Sequence, residues 1–334
     1  MKRAITIISI LFLLIPQIYS QPKFVEMSVK PGAFSRMGFG ARGIAMGNSI
    51  SAVTQGNLVS YYNPAASPFQ EGNLVQSGYT FLSLDRSLNY LSFTRKFDFY
   101  SSTDTAINRQ PRGTAGISAG IINSGVGNID GRDNNGIKTE ELSTSENQFF
   151  LSVSNRFSRK LSIGVAIKFY YYKLYEDITS NGIGLDLGAI YKIDDNWNVS
   201  FVISDLNSSY KWDSSPIYEQ DGLTTTDKFP ILKKIGMSYF NPELKLLTAL
   251  EFENSNAGTN IIRVGIEYNI YDGLFLRGGI DQFNISDVEA GAKPALGFAF
   301  QKHFGDLLLS VDYAFMIEQY SPSDRHVIGL NFNF

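Results

Sequence analysis

From about residue 73 onward, apolar and polar residues alternate with a period of two. Leu161, Ile163, Val165, Ile167, Phe169 and Tyr171 fall on one face of such a run, and Ser162, Gly164, Ala166, Lys168 and Tyr170 on the other. Side chains alternate between the two faces of a strand, so the run predicts a strand with one apolar surface. The pattern recurs at Ile183–Tyr191, Trp197–Ile203, Leu244–Phe252, Ile262–Ile270, Leu307–Phe315 and His326–Phe334. Asn73–Leu84, Leu88–Phe97, Arg112–Ile122, Asn147–Phe157, Phe229–Phe240, Gly273–Asn284 and Ala292–His303 bring the prediction to about fourteen strands. Runs of roughly ten residues suit a tilted strand that crosses a bilayer. Strands of a soluble sandwich are usually nearer five or six.

The connections strengthen this reading. Ser158–Lys160, Asp194–Asn196, Asn241–Glu243, Tyr271–Gly273 and Phe304–Asp306 are short turns. Between them fall longer polar segments: Asn123–Glu146, Leu174–Ser180, Leu206–Lys228, Ser255–Gly258, Ile285–Gly291 and Glu318–Ser323. Strict alternation of short and long connections, with an even strand count, predicts an all-β transmembrane antiparallel barrel with periplasmic turns and external loops. The first two connections depart from the rule. Asp85-Arg86 is short where a long loop is due, and Asp98–Pro111 is long.

Composition agrees. Of 334 residues, 18 are Tyr, 25 Phe and 30 Gly, with no cysteine and a formal net charge of −3. Many strands and glycine-rich turns explain the first three counts. The absence of a basic block leaves no footprint for nucleic acid. Residues 1–20 read as a signal peptide, with Lys2-Arg3 ahead of an apolar Ala4–Ile15, which is too short to span a membrane. An exported chain without cysteine holds itself together without disulfides. The expected location is the outer membrane.

Residues 21–72 form neither signal nor strand. Within them Gly38, Gly40, Gly43, Gly47 and Gly56 punctuate Met37–Ala66, and Asn63-Pro64 forms a rigid turn. Such spacing suits a segment folded tightly against other protein. Gly40-Ala41-Arg42-Gly43-Ile44-Ala45-Met46-Gly47-Asn48, followed by Ser60-Tyr61-Tyr62-Asn63-Pro64-Ala65, resembles the N-terminal pattern of the PorV/PorQ family of outer-membrane barrels. That family in turn resembles the FadL-type transporters of long-chain fatty acids. Asn48 departs from the small residue often found there. The likeness covers about thirty residues and implies that 21–72 enters the lumen as a hatch, ahead of a barrel at 73–334. By resemblance, Gly40, Arg42, Gly43, Met46, Gly47, Asn63, Pro64 and Ala65 are hatch residues.

The polar phase of the strands places Lys168, Asp186, Glu251, Arg263, Glu267, Arg277 and Asp281 toward the lumen, where a barrel of this size is expected to be polar. Arg263, Glu267, Arg277 and Asp281 lie on adjacent predicted strands and invite cross-strand pairing. Asp186 or Glu267 is the expected partner of Arg42. His303, Ser310 and Asp312 share the lumen face and contain the elements of a hydrolytic site, but nothing in the sequence sets their geometry. A structural network, and no catalysis, is the expectation. Asp130, Asp133, Asn134 and Asn135 in Asn123–Glu146 lack calcium-loop spacing, so that segment reads as a flexible external loop. No metal or cofactor is expected. In Leu206–Lys228, Tyr210, Trp212, Ile217 and Tyr218 are candidate contact residues.

Two functions remain open. Resemblance to PorV/PorQ implies a type IX secretion component that binds or presents exported cargo proteins. Resemblance to FadL implies a passive channel for hydrophobic small molecules. In either case the barrel wall has outer-membrane lipid as its neighbour.

Overall fold

The computed structural model describes residues 26–100, 111–175, 178–287 and 291–334. The signal segment and residues 21–25 lie outside them. Fourteen strands close into one antiparallel barrel. They are β1 (Asn73–Phe81), β2 (Ser87–Phe99), β3 (Gly113–Arg132), β4 (Lys138–Arg156), β5 (Leu161–Tyr175), β6 (Ile178–Lys192) and β7 (Trp197–Leu206). An inserted hairpin follows, β8 (Ser209–Asp213) and β9 (Thr224–Lys228), which pairs only with itself. The wall then resumes with β10 (Leu232–Asn241), β11 (Leu246–Ser255), β12 (Asn260–Tyr271), β13 (Leu274–Asn284), β14 (Lys293–Phe304), β15 (Leu307–Met316) and β16 (Arg325–Asn333). Each wall strand pairs with its neighbour along the chain, β7 with β10 across the hairpin. The ring closes where β1 meets β16, from Leu74 opposite Asn333 to Phe81 opposite His326.

The alternation sorts as its chemistry requires. Ile163, Val165, Ile167 and Phe169 are exposed on the outer wall, while Ser162, Ala166, Lys168 and Tyr170 are buried inside. An apolar outside with a polar inside inverts a soluble protein and matches a barrel built for a bilayer. No helix of the described residues is long and apolar enough to cross a membrane. The end with the short turns also carries the start of β1 and the end of β16, which makes it the periplasmic end of such a barrel.

Two expectations need correction at the external end. Asn123–Glu146 is largely strand rather than flexible loop: β3 runs to Arg132, β4 begins at Lys138, and only residues 133–137 turn. A hairpin projecting beyond the lipid has water on both faces, so the apolar alternation that marks a strand disappears. Asp133 Oδ1 accepts the amides of Asn135 and Ile137 at 2.9 Å each, and Asp130 pairs with Arg132 and Lys138. These acids therefore serve a turn and ion pairs. Leu174–Ser180 likewise belongs mostly to β5 and β6. The short β1–β2 connection is also real. Leu82 donates its amide to the Arg86 carbonyl at 3.2 Å, so only residues 83–85 turn the chain, with Leu84 and Asp85 at positive φ, 60° and 54°. Most of the β2–β3 connection lies outside the described residues.

Ile167 sits partway along β5 on the lipid face. Ile167→Arg should cost about 2–4 kcal/mol, read as a lower denaturant midpoint in vesicles. Exchange to Leu should leave the midpoint nearly unchanged.

Candidate functional site: the hatch, its seat and the external mouth

Residues Gly40–Phe69 fill the lumen. A short helix, Gly40–Ala45, lies against β13–β16, and a 3₁₀ turn, Pro64–Phe69, lies against β2–β6. Two glycines show why the motif is so spare. Gly47 has φ 59°, and a Cβ there would meet the backbone of Ile280 on β13 at 2.6 Å. At Gly43 a Cβ would overlap the ring of Tyr62. The Tyr62 hydroxyl accepts the Phe39 amide at 2.9 Å and donates to Asn48 Oδ1 at 2.7 Å. Burial pushes this phenol well above its ordinary range, so it remains a neutral donor.

Charged groups attach one side of the hatch to the wall. Arg42 Nε and Nη2 donate to the two carboxylate oxygens of Glu267 on β12, at 2.8 and 2.7 Å. Its Nη1 donates to the carbonyls of Gln55 and Asn57, so one guanidinium joins the wall to the 55–57 bend of the hatch. Asp186, the other partner considered for Arg42, is engaged by Lys168 at 2.7 Å. Glu267 also accepts Arg277 Nε at 2.7 Å, and Arg277 Nη1 donates to Asp312 at 2.9 Å. In a second chain, Asn48 Nδ2 donates to Asp281 at 2.9 Å and Arg263 Nε to Asp281 at 2.6 Å. Arg263 then reaches Glu251 and Glu253 at 3.2 and 3.1 Å.

The opposite side is held without charge. Asn63 Oδ1 caps the 3₁₀ turn by accepting the Ala65 amide at 2.9 Å, and its Nδ2 donates to the carbonyl of Ser51 at 2.9 Å. Ser162 Oγ on β5 donates to the Ala65 carbonyl at 2.8 Å. Pro64 fits because Gly164 leaves its lumen position empty. Met46 is fully buried beside β12 and β13, where Gly265 and Gly279 admit its backbone.

Above the hatch lies a cavity of about 80 Å³, lined among others by Arg36, Tyr61, Lys168, Asp205, Lys234 and Glu253. The Leu206–Lys228 segment packs beside it, against the external ends of β5 and β6. Tyr210 and Trp212 are drawn inward rather than presented outside. Tyr210 is 1% exposed and packs on Phe229 with ring centroids 4.9 Å apart, while Phe229 stacks on Tyr170 at 4.7 Å. Trp212 is half-buried against Tyr172, and its indole N–H donates to Asp227 at 3.0 Å. The physical reason lies on β6. Gly182 and Gly184 present no side chain to the lumen, so the backbone of Ser209 and the side chain of Ser208 settle against the wall. Ile217 and Tyr218 remain exposed at the loop tip, with Leu223.

His303, Ser310 and Asp312 do not assemble. His303 is exposed near the end of β14, while Asp312 is held by Arg277 and Asn331 and accepts Ser310 Oγ at 3.3 Å. Among the described residues, no group of three acids, histidines or cysteines could hold a metal. The sequence reading missed Asp205, Glu253 and Lys234. Glu253 shares the phase of Glu251, and Lys234 that of Gly236 and Ser238, so both were visible in the alternation. Asp205 was not. Its φ of 62° marks a bulge that turns it inward beside Ser204, where it accepts Tyr170 at 2.5 Å and Lys168 at 3.1 Å.

The fold has solved counterparts. The structure resembles the Ralstonia pickettii toluene transporter TbuX, with a TM-score of 0.61 at 13% identity over 89% of this chain and 98% of that one. It resembles the Pseudomonas putida toluene transporter TodX with a TM-score of 0.58 at 14% identity, over 88% and 96% of the two chains. A Pseudomonas aeruginosa FadL homologue follows at 0.50 and 11% identity, over 88% and 98%. The barrel is of the FadL type in fold. No family model and no curated relative matches the sequence, so the PorV/PorQ likeness rests on the glycine motif alone.

Removing one partner of a buried ion pair leaves the other charge stranded, at a cost of about 3–5 kcal/mol. Arg42→Ala and Glu267→Ala should each raise single-channel conductance by loosening the hatch. The double variant should show less than the sum of the two effects, measured in planar bilayers.

Proposed function

We infer that this protein is an outer-membrane channel that admits small hydrophobic molecules and bars water-soluble ones. One observation carries the reading: its fold matches two toluene transporters over nearly the whole of both chains. The local structure supports it. The buried hatch packs against β2–β6 and β13–β16 inside the barrel, and an aromatic cluster of Tyr170, Tyr172, Tyr210, Trp212 and Phe229 stands at the external mouth. Such rings supply a greasy entry surface with polar edges. The cavity below, about 80 Å³, is smaller than the roughly 150 Å³ that accommodates benzene. A ligand in this reading advances only as the hatch, whose Asn48, Tyr61 and Tyr62 line the cavity, shifts. In this reading the chain does no chemistry on what it carries, and export by the N-terminal signal brings it to the membrane.

A second reading, presentation of exported proteins as part of a type IX apparatus, draws on the Gly40–Asn48 and Asn63–Ala65 motif. The exposed Ile217, Tyr218 and Leu223 at the loop tip would suit contact with protein.

The deciding experiment is uptake by cells that lack their own hydrophobic-compound channels. Expression should raise entry of radiolabelled toluene or a long-chain fatty acid several-fold, with no gain for a sugar of similar mass. Tyr210→Ala with Trp212→Ala should weaken the response at low solute concentration. Unchanged uptake, together with recovery of several secreted proteins from a native pull-down, would replace the first reading with the second.

A further inference from the structure

Charge is unevenly spread around the periplasmic rim. Toward β6–β15 the rim mixes Asp194, Asp195, Glu243, Asp272 and Asp306 with Lys192, Lys245 and Lys302. Under β2–β5 the described residues are Arg95, Lys96, Arg112, Arg156, Arg159 and Lys160, against Asp98 alone. Two of these six cations are engaged locally. Lys96 pairs with Asp98 at 3.7 Å, and Arg156 turns inward over the Phe69 ring at 5.6 Å. Arg95, Arg112 and Arg159 have no carboxylate partner among the described residues, and Lys160 makes no direct ion pair, although its charge acts on Asp194 in the β6–β7 turn. Lys160 gives one hydrogen to the Ile193 carbonyl at 2.9 Å and keeps two.

The strand register brings the four together. Gly113 lies opposite Phe99, and Thr114 opposite Arg156, so exposed Arg112 stands level with the β4–β5 turn that carries Arg159 and Lys160. Arg95 faces outward with Leu91 and Phe93, opposite Ile117, and its guanidinium lies over the Phe97 ring at 4.9 Å. Exposed Phe99 and Phe157 complete an aromatic collar. The sector spans three strand spacings, about 15 Å.

Aromatic rings beneath unpaired cations on a lipid-facing wall mark the depth of headgroups. Arginine forks match phosphate oxygens in pairs, and lysine supplies a point charge. A zwitterionic lipid brings its own ammonium and offers such a sector no net attraction. An anionic one does. We propose that the periplasmic end of β2–β5 is a binding site for an anionic phospholipid of the inner leaflet. Its phosphates sit on Arg112, Arg159 and Lys160, and Arg95 reaches down from the wall beside its acyl chains. An acidic protein segment would use the turn cations but gain nothing from Arg95 and the rings around it. The inference rests on the barrel spanning a membrane and is independent of what crosses its lumen.

The test uses the full chain, carried in polymer-bounded discs cut directly from membranes, with lipids counted by mass spectrometry. Phosphatidylglycerol or cardiolipin should be enriched over phosphatidylethanolamine relative to the bulk membrane, by about fivefold for each engaged cation. Arg95→Gln/Arg112→Gln/Arg159→Gln/Lys160→Gln should return the ratio to bulk, while Lys245→Gln/Lys302→Gln keeps the enrichment. Heat-modifiable migration on gels certifies that each variant is folded. Should the fourfold variant fail that check, Arg159→Gln/Lys160→Gln in the exposed turn should still cut the enrichment at least fivefold. A bulk ratio in the unaltered protein overturns the proposal, as does equal enrichment in the variants. Enrichment of lipopolysaccharide alone, or capture of an acidic protein with lipids at the bulk ratio, overturns it too.

Discussion

A strand in hydrocarbon has no water for its amides and carbonyls, so each must find a partner in the neighbouring strand. That single requirement forces β1 onto β16 and makes the ring. Everything else follows from closure. Fourteen strands enclose a lumen too wide for the wall's own side chains to fill, so the residues that face inward must be polar, or packed on something, or both. Here they are both: the hatch provides the packing, and its arginine, asparagines and carbonyls meet the polar groups of the wall.

The seat of the hatch is asymmetric. Along β11–β15, Glu251, Glu253, Glu267, Asp281 and Asp312 interlace with Arg263, Arg277 and the hatch's own Arg42. Buried charges of one sign would be prohibitive, but an alternating chain satisfies most of its members through short, aligned contacts. Along β3–β6 the contacts are Ser162, Gly164, Gly116 and Gly188 against residues 63–68, close in shape and free of charge. Orientation of the hatch comes from the charged side, where a misplaced turn would strand an ion. The neutral side tolerates small slips at lower cost. The hatch thus lies between its seat on the wall and the Tyr210–Phe229 packing toward the external end.

Much of this was legible in the chain. Strand number, the apolar wall and the lumen positions of Lys168, Asp186, Glu251, Arg263, Glu267, Arg277 and Asp281 come from a period of two, which a closed barrel obeys almost without exception because lipid and lumen penalise the wrong residue at once. The alternation failed where that penalty vanishes. Beyond the lipid, the upper halves of β3 and β4 are polar on both faces, and a strand there looks like a loop. At Asp205 a bulge shifts the phase by one, and no count of two can anticipate it. The inward fold of Tyr210 depends on Gly182 and Gly184, twenty-eight and twenty-six residues earlier in the chain, and only the tertiary arrangement sets one against the other.

By itself, then, the sequence determined a fourteen-stranded barrel with a hatch motif ahead of it, because hydrophobic alternation is a local property that the bilayer enforces residue by residue. Which carboxylate receives Arg42, which face of the Leu206–Lys228 segment turns to the lumen, and which rim cations lack a partner were decided only in three dimensions. Electrostatic pairing depends on distances of a few ångströms between residues far apart in the chain, Arg42 and Glu267 among them, and such distances exist only once the ring has closed.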